Sequence, residues 1–530
     1  MFLSKLSGVS AEIIVSAIDL PKATTYGDLI ITMPRLRLVG NPAQLAQSFA
    51  EKFKTDEAVT SVVATGYCLN FRVNRTTFIH NVLSTVHREG NKYGWTNEGT
   101  GKRAIVEFSS PNTAKPFHAG HLRSTIIGNF IYNLYKANDW DAISMNYLDD
   151  WGKQYSMLAI GFSRFGSEEK LAANPIIHLH EIYVAIHAEA SKDPSIHDEP
   201  RAYFKRMEDG DESALALWQR LRDISIVKYN ETYARLNIKF DNYSGESLVG
   251  KGMEKAIKML EDAGLIVENN VAKIIELAQC KLEEDAVVQK SDEITLYLTR
   301  DVGAAIEHYE KYKFDKIIYV VSSRQGLYFK QLFKTLELLK LPYADRFQHI
   351  NYGVVKGMST RKGTAVFLND MLMECKANMQ SHARERQKDM SARRIKDYDF
   401  DWTRILSLEG DIGPYLQHAH THLCSLEHKS NPVNLDADVS ILTEETAREI
   451  VTLISRYPDV LSSTIQTLEP CTVVQYILKL SHAISAAWEA IMVHDQPQDI
   501  ADARLLMYSS ARIVLGNALI MLGLDPVQCM

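Results

Sequence analysis

The sequence is poor in cysteine and has no long apolar run. Its six cysteines are widely separated, and no two of them form a Cys-x-x-Cys pair. This spacing indicates neither a zinc knuckle nor a disulfide framework, so we expect reduced thiols in the core. No stretch of about 18 apolar residues occurs, and the N-terminal residues lack the apolar core of a secretory signal. The composition therefore predicts no membrane span and a cytoplasmic location.

Positive charge is not in excess either. Lys and Arg number 59 against 66 Asp and Glu, which gives a formal net charge of −7. Nucleic-acid-binding proteins usually carry a basic excess because phosphate contacts drive their affinity, so composition alone does not indicate RNA binding. The hydrophobic fraction of 46% and the charged fraction of 24% are typical of a globular protein. A length of 530 residues predicts about two to four domains.

The hydrophobic patterns divide the chain into three parts. Residues 1–95 mix helical and strand-like patterns, which predicts a small α+β module. Residues 96–400 alternate strands and helices, with an insertion rich in charged helix at about 163–290. Residues 401–530 show long amphipathic patterns, which predict a helical bundle.

Short apolar runs alternate with helical patterns through the middle part. Five runs are predicted as strands: 104–108, 142–148, 295–298, 317–321 and 351–355. Apolar residues recur at helical spacing from Leu122 to Leu134, between the first two strands. This alternation predicts an α/β fold class with a Rossmann-type parallel sheet. The flanking parts add helices at 42–53, 444–465, 472–491 and 499–522, and a strand pattern at 60–73.

A candidate nucleotide site lies between the first predicted strand and the helix after it. The segment reads Lys115-Pro116-Phe117-His118-Ala119-Gly120-His121. Two histidines three residues apart in a first helical turn point the same way, and a helix N-terminus at this edge of a sheet faces phosphates. The site can donate hydrogen bonds to phosphate oxygens as charge develops on them. Two structural histidines would give the same motif, but its placement favours a nucleotide site.

An extended signature surrounds this motif. Residues 110–124 read Ser-Pro-Asn-Thr-Ala-Lys-Pro-Phe-His-Ala-Gly-His-Leu-Arg-Ser, and further segments follow at 146–148, 150–154, 243–247 and 297–305. Together they resemble the class I arginyl-tRNA synthetase family over nearly the whole chain. The resemblance implies an N-terminal module that contacts the tRNA D-loop and a DALR-type anticodon-binding bundle at the C-terminus. It also implies that L-arginine is activated with ATP and joined to tRNA(Arg) for translation.

The loop at residues 357–364, Gly-Met-Ser-Thr-Arg-Lys-Gly-Thr, resembles the second class I motif, KMSKS. It departs from that motif because Gly357 and Thr360 occupy the two lysine positions. The family often tolerates this loss when a lysine precedes the first histidine, and here that lysine is Lys115. The implied catalytic residues are Lys115, His118, His121, Met358, Ser359, Arg361 and Lys362. The implied ATP contacts are His118, Gly120, His121, Met358 and Ser359, with Mg²⁺ accompanying ATP and no metal site made of protein ligands alone.

An arginine substrate requires a carboxylate that accepts two N–H donors, because this charge-assisted geometry discriminates against lysine. Asp301, expected at the carboxyl end of a strand, lies where such a pocket should be. Taken alone, Asp301 would also suit a helix N-cap. The resemblance implies arginine contacts from Glu107, Ser110, Pro111, Asn112, His121, Tyr297, Asp301 and Gln325.

The resemblance extends to tRNA contacts. It implies contacts from Asn70 in the N-terminal module and from Asp411, Tyr415, His418, His422 and Trp488 in the C-terminal bundle. Exposed rings can stack on unpaired bases, although core packing is the commoner role of a single Tyr or Trp. The sequence departs from the family pattern at Cys68, Asp149, Tyr328, His418 and His422. Most of these departures fall on surfaces expected to face RNA.

Three alternatives stay open at this point. A small-metabolite nucleotidylyltransferase shares the His-x-Gly-His motif but needs no long helical C-terminus. A non-catalytic descendant would bind tRNA without charging it, although His118, Asn112 and Asp301 are retained. An organellar enzyme would charge a divergent tRNA in the mitochondrial matrix. We expect a cytoplasmic monomer whose partners are L-arginine, ATP and tRNA(Arg).

Overall fold

Most of the chain is described by a computed structural model. The described residues are 2–19, 27–112, 117–268, 272–280, 282, 284–290, 297–356, 390–399 and 413–529. They form an N-terminal α+β module, a parallel sheet with helices on both faces and a C-terminal helical bundle. The predicted α/β fold class is therefore confirmed. Within the described residues, no helix is both long and apolar enough to span a bilayer.

The N-terminal module is a small antiparallel sheet covered by a helix. Its elements are α1 (Phe2–Ser7), α2 (Ala11–Ala17), β1 (Ile18–Asp19), β2 (Leu29–Thr32), α3 (Pro42–Lys52), β3 (Val59–Thr65) and β4 (Cys68–Val73). The strand order is β1-β2-β4-β3. Helix α3 begins after Asn41, whose side chain accepts hydrogen bonds from the backbone N–H groups of Ala43 and Gln44. Leu69 and Phe71 of β4 are buried in the core between sheet and helices.

The helix that follows this module packs against a different core. Helix α4 (Arg75–Glu89) buries Ile79, Leu83 and Val86 in the cluster that also contains the C-terminal bundle. A second link is an ion pair between Asp28 of the module and Arg448 of the bundle, at 2.8 Å. The residues predicted as a module at 1–95 are thus tied to the bundle by their last helix.

The central sheet has five parallel strands. They are β5 (Arg103–Glu107), β6 (Asp141–Leu148), β7 (Asn242–Gly245), β11 (Lys316–Ser322) and β12 (Phe347–Tyr352), in the order β12-β11-β5-β6-β7. Helix α5 (Ala119–Ala137) connects β5 to β6, and α13 (Gly326–Leu338) connects β11 to β12. Ala104 and Val106 belong to the core shared with α5 and the bundle, whereas Ile105 belongs to a second core on the opposite face. Alternation along the strand therefore points Glu107 towards the second face.

Two segments predicted as strands differ in the structure. Residues 297 and 298 begin helix α12 (Tyr297–Tyr312) instead of ending a strand at 295–298, whose first two residues lie outside the described part. Leu298, Val302, Ala305 and Ile306 are buried at helical spacing, and this period outweighs the short apolar run. The strand predicted at 351–355 is divided. Strand β12 ends at Tyr352, and β13 (Val355–Lys356) pairs with β14 (Tyr398–Asp399).

The segment predicted as a helical insertion at 163–290 also contributes to the central sheet. Strand β7 lies within it and pairs with β6, although its sequence has no apolar run that would predict a strand. A separate antiparallel sheet contains β8 (Val267–Glu268), β9 (Ala272–Ile275) and β10 (Ala286–Lys290). The helices are α6 (Lys153–Phe165), α7 (Glu168–Ala173), α8 (Pro175–Lys192), α9 (Asp198–Glu208), α10 (Glu212–Arg235) and α11 (Gly250–Asp262).

The C-terminal part is a helical bundle. Its helices are α14 (Gly413–Lys429), α15 (Glu445–Ser455), α16 (Tyr457–Thr467), α17 (Pro470–Ala487) and α18 (Gln498–Met521). The single helix predicted at 444–465 is two helices, which meet at Arg456. Pro458 lies in the first turn of α16, where its missing N–H costs least. The long helix α18 is buried along most of its length, so it forms the centre of the bundle.

Candidate active site

The chain leaves β5 through a tight loop at the carboxyl edge of the sheet. Ser109 and Ser110 have φ values of 73° and 43°, a left-handed conformation that residues other than glycine seldom adopt. Surrounding contacts must hold such a conformation. The Ser109 N–H donates to Ser124 Oγ at 3.1 Å, and the Ser110 N–H donates to Asn146 Oδ1 at 3.2 Å. Hydrogen bonds that the loop donates to side chains of α5 and β6 therefore fix its conformation.

His118 and His121 lie together at the N-terminus of α5. Their rings stack with centroids 3.8 Å apart, and Phe117 packs edge-on against His121 at 5.3 Å. His118 caps the helix: its Nδ1 accepts a hydrogen bond from the Gly120 N–H at 3.1 Å. The Nδ1 of His121 accepts from the His118 N–H at 3.4 Å. Because Nδ1 is the acceptor in both rings, a neutral imidazole at either position carries its proton on Nε2.

Gly120 is required by this arrangement. A Cβ at Gly120 would lie 2.9 Å from Cε1 and 3.1 Å from Nδ1 of the His118 ring. A side chain there would push the ring out of its capping position. The glycine therefore keeps the two rings stacked, in addition to the ATP contact that the resemblance implies for it.

Glu107 and Asp301 form the acidic centre of a pocket on the other face of the sheet. Glu107 ends β5 next to Tyr319 of β11 and is 7% exposed. Burial, and then the charge of Asp301, raises the pKa of Glu107 well above its usual range. Burial also raises the pKa of Asp301 from its usual 3.8 to about 6, although a hydrogen bond from Tyr328 and the charge of Arg300 oppose this. Glu107 is buried, Asp301 is partly buried, and the charge of one acts on the other, so the pair favours a cationic ligand.

Asp301 lies within a helix, so its expected position at the carboxyl end of a strand is wrong. It belongs to the second turn of α12, four residues after Tyr297, and it is not the N-cap of that helix. Residues four apart share one helix face, so Tyr297 and Asp301 still lie on the same side. Helix α12 thus presents the carboxylate to the sheet edge in place of a strand end.

Tyr328 holds the Asp301 carboxylate. Its hydroxyl, on the first turn of α13, donates a hydrogen bond to Asp301 Oδ2. This position is one of the departures from the family pattern, and the structure shows what the tyrosine contacts. A donor on the carboxylate stabilises its charged form, so Tyr328 opposes the effect of burial on Asp301.

Two further carboxylates line the same edge. The Asn112 side chain donates a hydrogen bond to Asp149, the extra carboxylate noted in the sequence. Glu246, just after β7, forms a buried ion pair with Arg300 at 3.0 Å. Burial, with the charge of Asp149, raises the pKa of Glu246 despite that partner. Among the described residues at this edge, acidic side chains therefore outnumber the arginines that pair with them.

Asp150 has a structural role beside this edge. It is fully buried and forms an ion pair with Arg222 of α10 at 2.6 Å. It also accepts hydrogen bonds from the Ser247 N–H at 3.0 Å and the Ser247 hydroxyl at 2.8 Å. These contacts connect the ends of β6 and β7 to the helical region.

The remaining predicted arginine residues are more dispersed. Tyr297 is 56% exposed, and Gln325 is exposed just before α13, with no contact that brings it to Asp301 among the described residues. Ser110 and Pro111 belong to the loop after β5, where Pro111 is buried. Six predicted site residues lie outside the described part of the chain: Lys115, Met358, Ser359, Arg361, Lys362 and Asp411.

Arg123 is a residue that the sequence analysis left without a role. It lies on α5 just after the histidine pair and is 2% exposed. Its guanidinium donates to the backbone carbonyls of Gly353 at 2.8 Å, Arg394 at 2.9 Å and Lys396 at 2.8 Å. These carbonyls precede and follow the predicted second motif, so the helix that carries the first motif anchors both flanks of the second. The available sequence signal was an arginine placed one turn into the helix, among residues expected to be buried.

The predicted tRNA residues fall into two environments. Asn70 is buried, and its side-chain amide donates to the Val63 carbonyl at 3.3 Å and the Thr65 hydroxyl at 3.1 Å within its own sheet. In the bundle, rings on α14 and at the end of α17 form two groups, which we together call the aromatic stripe: His418, His422 and His482 are exposed, whereas Tyr415 and Trp488 are partly buried. Its ring pairs are His418–His422 at 3.9 Å, His422–Trp488 at 5.5 Å and Tyr415–His482 at 5.4 Å.

Comparison with known proteins places this site in a family. Residues 81–399 match the family described as "tRNA synthetases class I (R), catalytic domain", and residues 416–530 match the "DALR anticodon binding domain". Two relatives named cytoplasmic arginine–tRNA ligases, from Dictyostelium discoideum and Saccharomyces cerevisiae, are 44% and 45% identical. Each alignment spans 100% of this chain and covers 98% and 93% of the relative. The mitochondrial arginine–tRNA ligase of S. cerevisiae is 42% identical, over 100% of this chain and 88% of its own.

A solved structure agrees at the level of the fold. The arginyl-tRNA synthetase of Thermus thermophilus has a TM-score of 0.78 and 20% identity, with 100% of both chains covered. The catalytic-domain match covers more than half of the chain, and the relatives align over its full length. The chain belongs to the class I arginyl-tRNA synthetase family.

Proposed function

We propose that this chain is an arginine–tRNA ligase that activates L-arginine with ATP and transfers the arginyl group to the 3′ end of tRNA(Arg). The observation that carries the proposal is the pair of carboxyls at Glu107, which is buried, and Asp301, which is partly buried, both with raised pKa values. The stacked histidines of a class I signature open helix α5, which follows the strand that Glu107 ends. A guanidinium ligand neutralises buried negative charge that otherwise destabilises the pocket. The full-length relatives with this named activity support the same substrate.

In the arginine site, Asp301 accepts two N–H groups of the guanidinium, and Glu107 adds a second carboxyl below it. Tyr297 shares the helix face of Asp301 and covers the substrate side chain. At the other end, Ser110, Pro111 and Asn112 form the loop that meets the α-amino and carboxylate groups. His121 and Gln325 complete the set proposed for arginine.

In the reaction, an oxygen of the arginine carboxylate bonds to the α-phosphorus of ATP, and pyrophosphate leaves. The terminal ribose hydroxyl of the tRNA then attacks the arginyl carbonyl, and AMP leaves. His118 and His121 donate from Nε2 to phosphate oxygens, and the start of α5 at Gly120 adds its helix dipole. Further charge would come from Lys115, Arg361 and Lys362, with Met358 and Ser359 at the nucleotide. No side chain needs to become covalently attached.

Magnesium would arrive with the ATP phosphates. Among the described residues, no three His, Cys, Asp or Glu side chains are grouped so that they could hold a metal ion. Mg²⁺ usually keeps several waters and binds through substrate phosphates, which suits a site without a protein cage. In that setting it would neutralise charge on the leaving pyrophosphate.

For tRNA recognition, we propose that the aromatic stripe stacks on unpaired anticodon bases. The exposed rings of His418 and His422 are already paired with one another and offer stacking surfaces without a requirement for net positive charge. Tyr415 belongs to the stripe, and Asp411 is proposed as a further tRNA contact. The tRNA contact proposed for Asn70 would have to use its backbone, since its side chain is engaged within the sheet. Domains at 1–95, 96–400 and 401–530 are proposed to contact the D-loop, the acceptor end and the anticodon, respectively.

We propose a cytoplasmic monomer. The names of the two relatives at 44% and 45% identity support the cytoplasm, and the mitochondrial matrix stays the alternative because a relative so named is 42% identical.

The test is aminoacylation with cytosolic and mitochondrial tRNA pools, each offered arginine and lysine. We expect arginine to be charged and lysine to be rejected, with the cytosolic pool preferred. Charging only of the mitochondrial pool would reassign the location. Failure to charge either pool with arginine would refute the function.

A further inference from the structure

One tyrosine hydroxyl in the acidic pocket has no role in the function described so far. Tyr147 lies near the end of β6, two residues after Met145, which pairs in register with Glu107 of β5. Side chains two apart on a strand point to the same face, and in-register neighbours share that face. Tyr147 therefore projects towards α12 beside Glu107, one pleat closer to the carboxyl edge.

The surroundings of the Tyr147 hydroxyl are acidic. Burial raises the pKa of Tyr147 well above its usual range, and the charges of Asp301, Glu246 and Glu107 raise it further. The phenol is therefore neutral in the folded protein. It is a polar group of zero charge among carboxylates from three different elements of the fold.

The hydroxyl oxygen of Tyr147 is shielded from solvent and has no hydrogen-bond partner among the described residues. The large majority of buried side-chain polar atoms in proteins have a partner, and an exception in a binding pocket points to a missing ligand. The ring itself is fixed, since it packs edge-on against His308 at 6.2 Å. Rotation of the ring does not supply a partner, because the hydroxyl lies on its rotation axis. The position of the oxygen is thus set before a ligand arrives.

We propose that the Tyr147 hydroxyl accepts a hydrogen bond from an N–H of the arginine guanidinium. This inference rests on the proposed function and adds a residue that determines specificity within it. A guanidinium has five N–H donors, and Asp301 accepts two of them in a bidentate pair. The remaining donors need acceptors when the side chain is buried. Tyr147 supplies one without adding another charge to a pocket already crowded with carboxylates.

The inference also accounts for the rejection of lysine. An ammonium group has three donors at one point, whereas the donors of a planar guanidinium are spread over its edges. A lysine ammonium bound at Asp301 has its donors at one point, so the Tyr147 hydroxyl would be left without a partner. The same unpartnered oxygen therefore favours arginine over the smaller cation.

The experiment compares Tyr147→Phe with Tyr457→Phe in the full chain. Tyr457 is 0% exposed in the C-terminal bundle, and its hydroxyl also has no partner among the described residues. Both variants remove only a buried oxygen that makes no hydrogen bond, so neither should lower the melting temperature. Arginine-dependent ATP–pyrophosphate exchange is measured with tRNA present. We expect Tyr147→Phe to raise the KM for arginine about tenfold, equivalent to about 1.4 kcal/mol, with little change in the KM for ATP.

The control separates binding from packing. Tyr457→Phe should leave both KM values unchanged. An unchanged KM for arginine in Tyr147→Phe would overturn the inference, whether or not its melting temperature falls. An equal rise in the KM for arginine and ATP would also overturn it, since that outcome indicates general damage to the site. Failure of the unmodified chain to charge arginine at all would instead refute the proposed function.

Discussion

The charge on Asp301 is expected to destabilise the ligand-free protein while enabling it to bind arginine. Burial raises the pKa of Asp301 from 3.8 to about 6. Converted to free energy, this rise corresponds to about 3 kcal/mol of stability lost when the carboxyl ionises in the folded state. Asp301→Asn removes the charge and keeps the shape, and an asparagine oxygen can still accept from Tyr328. We therefore expect the variant to be more stable than the parent protein at pH 7.5.

The pH dependence follows from the direction of the shift. A carboxyl whose folded pKa is raised contributes no penalty below its unfolded pKa, where it is protonated in both states. The penalty grows between about pH 4 and pH 6 and is complete above that range. Urea denaturation of both proteins at several pH values should show a stability difference that is small at pH 4 and reaches about 3 kcal/mol at neutral pH. Arginine should stabilise the parent protein but not the variant.

Asp150→Asn is the matched control for this prediction. It makes the same chemical change at a buried carboxylate at the same sheet edge, but Asp150 is paired with Arg222 at 2.6 Å. The substitution leaves the nearly buried Arg222 guanidinium with the longer contact to Asp223, at 3.9 Å, and should destabilise the protein by about 3 kcal/mol or more. The two substitutions are therefore expected to change the free energy of unfolding in opposite directions: Asp301→Asn raises it and Asp150→Asn lowers it. The reasoning is refuted if Asp301→Asn is less stable than the parent at neutral pH, or if arginine still stabilises it.

Substitutions at three other residues, with one control, test separate parts of the function. His118→Asn and His118→Ala should both lower pyrophosphate exchange by about 100-fold. Only the alanine variant should also lose about 1 kcal/mol of folding stability, because asparagine still caps α5. Retained exchange in the asparagine variant would contradict the role assigned to His118. Tyr328→Phe removes the hydrogen bond that lowers the pKa of Asp301, so that pKa should rise. The pH below which the KM for arginine increases should therefore move upwards. An unchanged pH profile would contradict a role for this contact. His422→Ala should raise the KM for tRNA about fivefold and leave the KM for arginine unchanged. The control is His428→Ala, at a residue that is exposed on the same helix outside the stripe. It should leave both KM values unchanged.

Local sequence was sufficient for the features that depend on neighbours along the chain. The histidine pair, the helix that it caps and the central strands are short contiguous patterns, and the structure confirms their type. Prediction failed where tertiary contacts outweigh the local pattern. Strand β7 has no apolar run and exists through pairing with β6. The helix predicted at 444–465 failed for a local reason, because Pro458 is suited to the first turn of a helix and a second helix begins there.

The sequence by itself therefore determined the family, the fold class and the motifs that carry the chemistry, because these are encoded in contiguous residues. Only the tertiary structure decided how the arginine pocket is built. Glu107, Tyr147, Asp301 and Tyr328 come from β5, β6, α12 and α13, more than 200 residues apart at the extremes. A pKa or an unpartnered hydroxyl depends on burial and on charges within a few ångströms, and those neighbours are brought together by folding rather than by sequence.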